Sequence, residues 1–246
     1  MKALILAAGY ATRLYPLTLD RPKHLLEIGG RPLLARLLEQ LPLSEVETVY
    51  VVTNAKFAPL FRDWAAGLAL DAPVEVVDDG TTGEEEKLGA IGDLELVIRT
   101  KGVDDDLLVA AGDSLFSERL DGFVRFARKR EAAAVGVYDV GDLESVKRLS
   151  VIELADDSRV ISAEEKPERP VSTLSGVALY YYPRPVLPLV AEYLREGNNP
   201  DQPGRLVEWL YRRTPTYGWR VPGEWLDIGT PDALADADRV FGSPSN

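Results

Sequence analysis

The sequence contains no cysteine and a single histidine, His24, among its 246 residues. These shortages exclude disulfide bonds, a thiolate nucleophile, Cys-ligated metals and zinc sites with several histidines. Basic residues are also scarce, because 28 Lys and Arg stand against 40 Asp and Glu, giving a formal net charge of −12. That balance argues against nucleic acid or an anionic membrane surface as the main partner. An anionic small-molecule ligand would need a local island of positive charge or a metal ion.

Long hydrophobic runs are missing as well. The N-terminus, MKALILAAGYATR, has an apolar run too short for a signal peptide or a membrane span. We therefore expect a cytoplasmic protein without a membrane partner. The apolar content of 46% is ample for a hydrophobic core.

The first half of the chain alternates short apolar runs with amphipathic segments. The apolar runs predict buried strands over residues 2–7, 48–54, 73–79, 106–113 and 132–140. Helical periodicity predicts helices over residues 31–41, 57–70, 85–100 and 118–130. Strand–helix units joined by short connections predict a parallel sheet that is covered on both faces.

The second half has a different pattern. Two strands over 149–154 and 159–166 flank the turn-like ADDS and predict a hairpin. A further strand is predicted over 173–183, helices over 185–195, 205–213 and 231–241, and a frayed tail over 242–246. No linker or repeat interrupts the chain. We expect one α/β domain over 1–246, with a Rossmann-like three-layer fold and a mixed, mostly parallel central sheet.

The turn after the first strand carries the most specific residues, within LAAGYATRLYPLTLDRPKHLLEI at 6–28. Small residues around Gly9 allow a ligand close to the backbone, whose free N–H groups can bind phosphate oxygens. Arg13 can bind phosphate in a bidentate manner, and Lys23 presents a compact charge. Since no acid is adjacent to either in the sequence, both are expected to be free for an anionic ligand. A lone glycine turn of this kind more often has a structural role, and neither the P-loop nor the dinucleotide fingerprint matches.

The whole stretch resembles the signature LAAG-x-G-T-R-L-x-P-L-T-x-x-x-P-K-x-L-L of the sugar-phosphate nucleotidyltransferases, with Ala11 in place of the second glycine. Alanine keeps the N–H but restricts the backbone. Three more family motifs match in the expected order: Gly-Asp at 112–113, Glu-Lys-Pro at 165–167 and WLDIGTP at 225–231. Relatives often carry Tyr-Gly where this chain has Leu149-Ser150. The similarity extends to thymidylyltransferases for glucose 1-phosphate and to uridylyltransferases for N-acetylated sugar 1-phosphates.

The resemblance implies a Mg²⁺-assisted transfer of a nucleotide from a nucleoside triphosphate, with UTP or dTTP favoured, to a sugar 1-phosphate. The products would be a nucleoside-diphosphate sugar and pyrophosphate. The implied catalytic residues are Arg13, Lys23, Asp113 and Asp227, of which Asp113 and Asp227 would bind Mg²⁺. Taken alone, either aspartate could instead be a turn or cap residue.

The same resemblance divides the chain into a nucleotide-binding half, about 1–140, and a sugar-binding half, about 141–241. Nucleotide-binding residues would be Leu6, Ala7, Ala8, Gly9, Thr12, Arg13, Gly89 and Asp113. Sugar-phosphate-binding residues would be Lys23, Glu165, Lys166 and Gly176. Some relatives use a glutamine to bind a pyrimidine, and the corresponding position here is Gly92 or one residue off it.

Two other functions remain open. A GT-A-like glycosyltransferase would carry D-x-D at the end of a strand, whereas Asp104–Asp106 precede the strand. A non-catalytic nucleotide-sugar sensor would tend to lose one of the two cations or two aspartates. A homo-oligomer also stays open, since the helix over 205–213 could form a subunit contact, although core packing is its favoured role.

Overall fold

The computed structural model describes residues 1–241, and the tail predicted to fray, 242–246, lies outside them. In chain order the strands are β1 (Lys2–Leu6), β2 (Glu27–Ile28), β3 (Arg31–Pro32), β4 (Thr48–Thr53), β5 (Val74–Asp78), β6 (Leu107–Ala111), β7 (Ser114–Phe116), β8 (Ala133–Asp139), β9 (Ser150–Leu154), β10 (Val160–Glu165), β11 (Leu174–Tyr182), β12 (Thr216–Arg220) and β13 (Trp225–Asp227). The helices are α1 (Leu33–Gln40), α2 (Ala58–Ala66), α3 (Ala90–Lys101), α4 (Asp121–Arg130), α5 (Leu143–Val146), α6 (Leu187–Arg195), α7 (Gly204–Leu210) and α8 (Pro231–Phe241). Within this range no helix has the length and apolarity needed to cross a membrane.

The strands build a mixed central sheet, which confirms the predicted fold class. Its main path runs β10-β9-β11-β6-β1-β4-β5, and β8 and β12 join through β11. Strands β6, β1, β4 and β5 are parallel, so their carboxyl ends open on the same edge. Strand β11 lies antiparallel to β6, β8 and β9 and connects the two halves of the chain.

Helices cover both faces of this sheet and give three layers. Along β1, Ala3 and Ile5 pack into the cluster that holds α1, α2 and α4, while Leu4 packs into the cluster that holds α3, α6 and α7. Successive side chains of a strand point to opposite faces, so an unbroken apolar run is buried on both sides. Helix α7 buries Leu206, Val207 and Leu210, as the core-packing interpretation of this segment predicted.

Short strands with distant partners add what the sequence patterns did not predict. Strand β13 pairs antiparallel with β7 and brings Asp227 opposite Ser114. Strands β2 and β3 form a small two-stranded sheet, and β12 lies parallel to β8. The β7–β13 pair matters most for function, because it carries the C-terminal motif to the carboxyl end of β6.

Candidate active site

A cavity of about 480 Å³ lies at the carboxyl ends of β1 and β6. Ligands of open α/β sheets collect at this edge. Its lining comes from the turn after β1, the start of α3, the residues after β6, the ends of β9 and β10, and the segment before α7. Five cations line the cavity, Arg13, Lys23, Lys87, Arg148 and Lys166, together with six acids, so positive and negative side chains are mixed here in a chain with a net charge of −12.

The turn after β1 has a left-handed residue where the family signature has its second glycine. Ala11 has φ 50° and ψ 43° and precedes a 3₁₀ turn over Thr12–Leu14. The hydroxyl of Thr18 donates to the Ala11 carbonyl oxygen at 2.8 Å, and the Leu14 N–H donates to the same oxygen at 3.0 Å. The alanine thus adopts the conformation that glycine adopts at lower cost. Arg13 lies on this turn and lines the cavity.

Lys23 contacts an acid, contrary to the expectation from its sequence neighbours. Its Nζ donates to Oδ2 of Asp113 at 2.5 Å, a contact between residues 90 positions apart. Burial would raise the pKa of Asp113, but the charge of Lys23, its hydrogen bond and the other groups around the carboxylate together hold this pKa below its ordinary value. The prediction that both cations are free is therefore wrong for Lys23. Arg13 forms no ion pair with any residue of the described range.

His24 lies beneath this ion pair as a neutral core residue. It is only 2% exposed, and its ring packs 5.9 Å from that of Phe61. Burial and the adjacent charge of Lys23 lower the pKa of His24 to about 3. A Cβ added to Gly112 would lie 2.8 Å from the imidazole, so the ring leaves no room for a side chain at the position directly before Asp113.

Asp227 reaches the same place from the other end of the chain. The N–H of Ile228 donates to the Asp113 carbonyl oxygen at 2.9 Å, which fastens the two segments together. Desolvation by the surrounding protein, and then the charge of Asp113, raise the pKa of Asp227 to about 6, although this residue remains exposed to solvent. Two carboxylates that repel each other are a ligand type that suits a hard divalent cation. Within residues 1–241 no group of three or more His, Cys, Asp or Glu is placed to hold a metal ion.

The start of α3 is closed by a distant segment. Gly89 has φ +80°, and an added Cβ would lie 2.6 Å from the carbonyl oxygen of Pro200. The N–H groups of Ala90 and Ile91 donate to the carbonyl oxygens of Asp201 and Pro200 at 3.1 and 2.9 Å. The first amides of α3 are therefore already bonded within the protein. Only glycine allows this close approach of two backbones at the cavity wall.

The opposite end of the cavity is built around Glu165, the last residue of β10. Burial raises its pKa, while a hydrogen bond from Ser150 opposes that shift. A Cβ on Gly204 would lie 2.2 Å from both Glu165 Oε2 and Ser150 Oγ, so α7 begins in direct contact with this pair. Lys166 follows with φ +52°, and its N–H donates to the Leu149 carbonyl oxygen at 2.9 Å.

Most residues predicted for the site line this one cavity. These are Leu6, Ala8, Gly9, Thr12, Arg13, Lys23, Gly89, Asp113, Glu165, Lys166, Gly176 and Asp227. Ala7 lies below the lining, because its N–H donates to Val52 and its carbonyl oxygen accepts from Thr53. Gly92 is not part of the lining either. The D-x-D at Asp104–Asp106 lies at the opposite end of β6, where Asp104 pairs with Arg184.

Sequence reasoning missed several lining residues, among them Tyr10, Asp93, Ser114, Arg148, Asp201 and Gln202. One signal was present for the last two. The polar, turn-rich GNNPDQPG over 197–204 lies between two amphipathic helices, and long polar connections often carry binding residues. The others depend on which elements become neighbours in the fold.

A mixed α/β sheet, covered by helices on both faces and with a cavity at the carboxyl edge of its parallel strands, defines a Rossmann-like fold. The chain belongs to the nucleotidyl transferase family, whose sequence profile matches residues 2–241. A structure of UDP-glucose pyrophosphorylase complexed with UDP-glucose superposes with a TM-score of 0.82 at 20% identity, covering 98% of this chain and 97% of that one. At this identity the likeness shows the fold.

Curated relatives match nearly the full chain. The bifunctional protein GlmU of Methanocaldococcus jannaschii is 26% identical over 98% of this chain and 54% of its own length. A UTP–glucose-1-phosphate uridylyltransferase of Haloferax volcanii is 27% identical over 97% of this chain and 96% of its own. A glucose-1-phosphate thymidylyltransferase of Neisseria meningitidis is 28% identical over 96% of this chain and 81% of its own length. The chain thus spans about half the length of some relatives and nearly all of others.

Proposed function

We propose that this protein joins a nucleoside triphosphate, with UTP or dTTP favoured, to a sugar 1-phosphate, and releases pyrophosphate. The observation that carries the proposal is the meeting of Arg13, Lys23, Asp113 and Asp227 in one cavity that also holds Glu165. The names of the Haloferax and Neisseria relatives support the same reaction class.

The reaction requires no nucleophile from the protein. A phosphate oxygen of the sugar 1-phosphate attacks the α-phosphorus, and the bond from the α-phosphorus to the pyrophosphate oxygen breaks. The obstacle is the approach of two polyanions, so positioning and charge stabilisation supply the rate enhancement. Arg13 holds the triphosphate and the departing pyrophosphate. Lys23 leaves Asp113 and orients the attacking phosphate against the α-phosphate.

Asp113 and Asp227 are the ligands that this chain offers to Mg²⁺. A magnesium site commonly uses one or two carboxylates, with substrate phosphates and water as the other ligands. When bound, the ion supplies charge stabilisation on phosphate oxygens. The pKa of Asp227, raised to about 6 by desolvation first and then by the charge of Asp113, is consistent with this assignment, because a cation would relieve the second cause.

Recognition of the sugar falls to the other end of the cavity. Glu165 accepts hydrogen bonds from sugar hydroxyls, Lys166 contacts the phosphate, and Gly176 allows the sugar close to the backbone of β11. Gly89 and the turn around Gly9 form the base and triphosphate side.

The test is pyrophosphate release from a panel of four ribonucleoside triphosphates and dTTP with sugar 1-phosphates and Mg²⁺. We expect turnover with at least one pair, and its loss in Asp113→Asn and Asp227→Asn. Asp104→Asn is the matched control, since Asp104 lies near the opposite end of β6 and is 72% exposed. Tight binding of nucleotide sugars without turnover across the panel would contradict the proposal and favour a sensor.

A further inference from the structure

Asp93 is a buried acid in the cavity wall for which the phosphate chemistry has no use. It lies on α3, one turn after Gly89, and is 5% exposed. It lines the cavity on the nucleotide side. Its Oδ1 is enclosed by the protein and receives no hydrogen bond from a donor group among residues 1–241. A buried carboxyl oxygen without a partner is costly, so its retention needs a reason.

The nearest polar group is a second acid. Asp79 follows β5, and its carboxyl lies within hydrogen-bonding reach of Asp93. Oδ1 of Asp79 already accepts from the N–H and the hydroxyl of Thr81, at 2.7 and 2.8 Å. Two facing carboxyls in a dry site keep one proton between them. Burial first, and then the charge of Asp79, raise the pKa of Asp93 to about 8. Asp93 is therefore the protonated partner at neutral pH.

This protonation pattern determines what Asp93 offers to a ligand. Because Oδ1 is enclosed by the protein, we assign the shared proton to it, and its O–H donates to Asp79; Oδ2 is then the oxygen left for a ligand, as an acceptor only. The pair is also held in place. The Asp93 N–H donates to the Gly89 carbonyl oxygen at 2.8 Å, and Tyr10, which lines the cavity beside Gly9, lies 3.3 Å from the Thr81 hydroxyl.

We propose that Asp93 determines base specificity by accepting a hydrogen bond from the ring N–H of uracil, thymine or guanine. The proposal rests on the proposed function and deepens it. Uracil and thymine carry a hydrogen on N3, between their two carbonyl groups, and guanine carries one on N1, beside its carbonyl group. Cytosine and adenine have a lone pair at the corresponding nitrogen, which would face the acceptor oxygen of Asp93 and leave it unpaired. A site built for a hydrogen bond rejects a ligand that lacks it strongly.

The experiment compares kcat/KM for UTP, dTTP, GTP, CTP and ATP, and for the preferred nucleotide methylated at its ring N–H, such as 3-methyl-UTP. For the wild type we expect the methylated nucleotide and CTP to react about 100-fold less efficiently than UTP. In Asp93→Ala the ratios of kcat/KM for UTP to kcat/KM for CTP, and for UTP to 3-methyl-UTP, should both fall to about 3 or less. Asp93→Asn should keep the wild-type ratios, because its amide can donate to Asp79 and present an oxygen to the base.

Glu95→Ala is the matched control, because it removes an acid from the same helix outside the cavity and should leave every ratio unchanged. Thermal melts establish that each variant is folded. An Asp93→Ala enzyme that still prefers UTP over CTP, or a wild type that prefers CTP or ATP, would overturn the inference. If no triphosphate releases pyrophosphate, the proposed function fails instead, and base selection is then decided by calorimetric binding of UTP and CTP to the same variants.

Discussion

Replacing Asp93 with asparagine should make the protein more stable at neutral pH and flatten its stability profile. The folded-state pKa of Asp93 is raised to about 8, whereas an unfolded aspartate titrates near about 3.9. Between these values the folded state holds one proton more than the unfolded state, so the contribution of Asp93 falls as pH rises. The slope is about 1.4 kcal/mol per pH unit, or roughly 2.7 kcal/mol from pH 5 to pH 7. The loss ends once the pH exceeds the folded-state pKa.

The assay is urea unfolding of the wild type and of Asp93→Asn at pH 5, 6, 7 and 8. Since other groups also titrate, the informative quantity is the difference in unfolding free energy between the two proteins. As the pH rises to 7, the unfolding free energy of Asp93→Asn should increase relative to that of the wild type by about 1 kcal/mol or more per pH unit. Glu95→Gln, a change on the same helix, should run parallel to the wild type. Parallel profiles for Asp93→Asn as well, within about 0.5 kcal/mol, would refute the buried acid pair.

Three further substitutions test the cavity. Arg13→Ala should lower kcat/KM by about 100-fold or more, because it removes a donor that stabilises developing charge. The control Arg21→Ala, which changes a residue outside the cavity lining, should keep a kcat/KM near that of the wild type. If the two variants were equally active, Arg13 would have no role in the mechanism. Gly204→Ala places a Cβ 2.2 Å from the Glu165 carboxylate, so the KM for sugar 1-phosphate should rise about tenfold with the KM for nucleotide unchanged. Ala11→Gly removes the strain of a positive φ at a residue with a Cβ, but it also increases the entropy of the unfolded chain. The balance of these two effects should raise the unfolding free energy by about 0.5 kcal/mol. A less stable variant would contradict the claim that Ala11 is strained.

The fold was largely predictable because its main elements carry strong local patterns. Every helix and strand predicted within 1–241 has a counterpart. Boundaries shifted where a single residue redirects the chain: the helix expected from residue 85 begins at Ala90, because Gly89 takes φ +80°. Strands β7 and β13 were missed, since each has three residues and its partner lies more than 100 positions away.

The site was predictable only as far as motifs name residues. The family signature predicted the two cations and two further family motifs predicted the two aspartates, and all four residues line the cavity. The contact between Lys23 and Asp113 could not be foreseen, because it depends on β6 lying next to β1 in the sheet. The Asp79–Asp93 pair has the same origin, since a strand end and a helix turn meet only after the sheet has formed.

The Lys23–Asp113 pair bears on how the proposed phosphate site would work in an acidic chain. A desolvated cation or carboxylate without a partner is costly, and here each satisfies the other. A phosphate that takes Lys23 leaves Asp113 beside Asp227 with no counter-charge, and the charge of Asp113 already contributes, after desolvation, to the raised pKa of Asp227. The anionic substrate and a cation are therefore expected to enter together, because each makes room for the other. Two carboxylates then suffice, since the phosphates that displace Lys23 can complete the cation's ligand set.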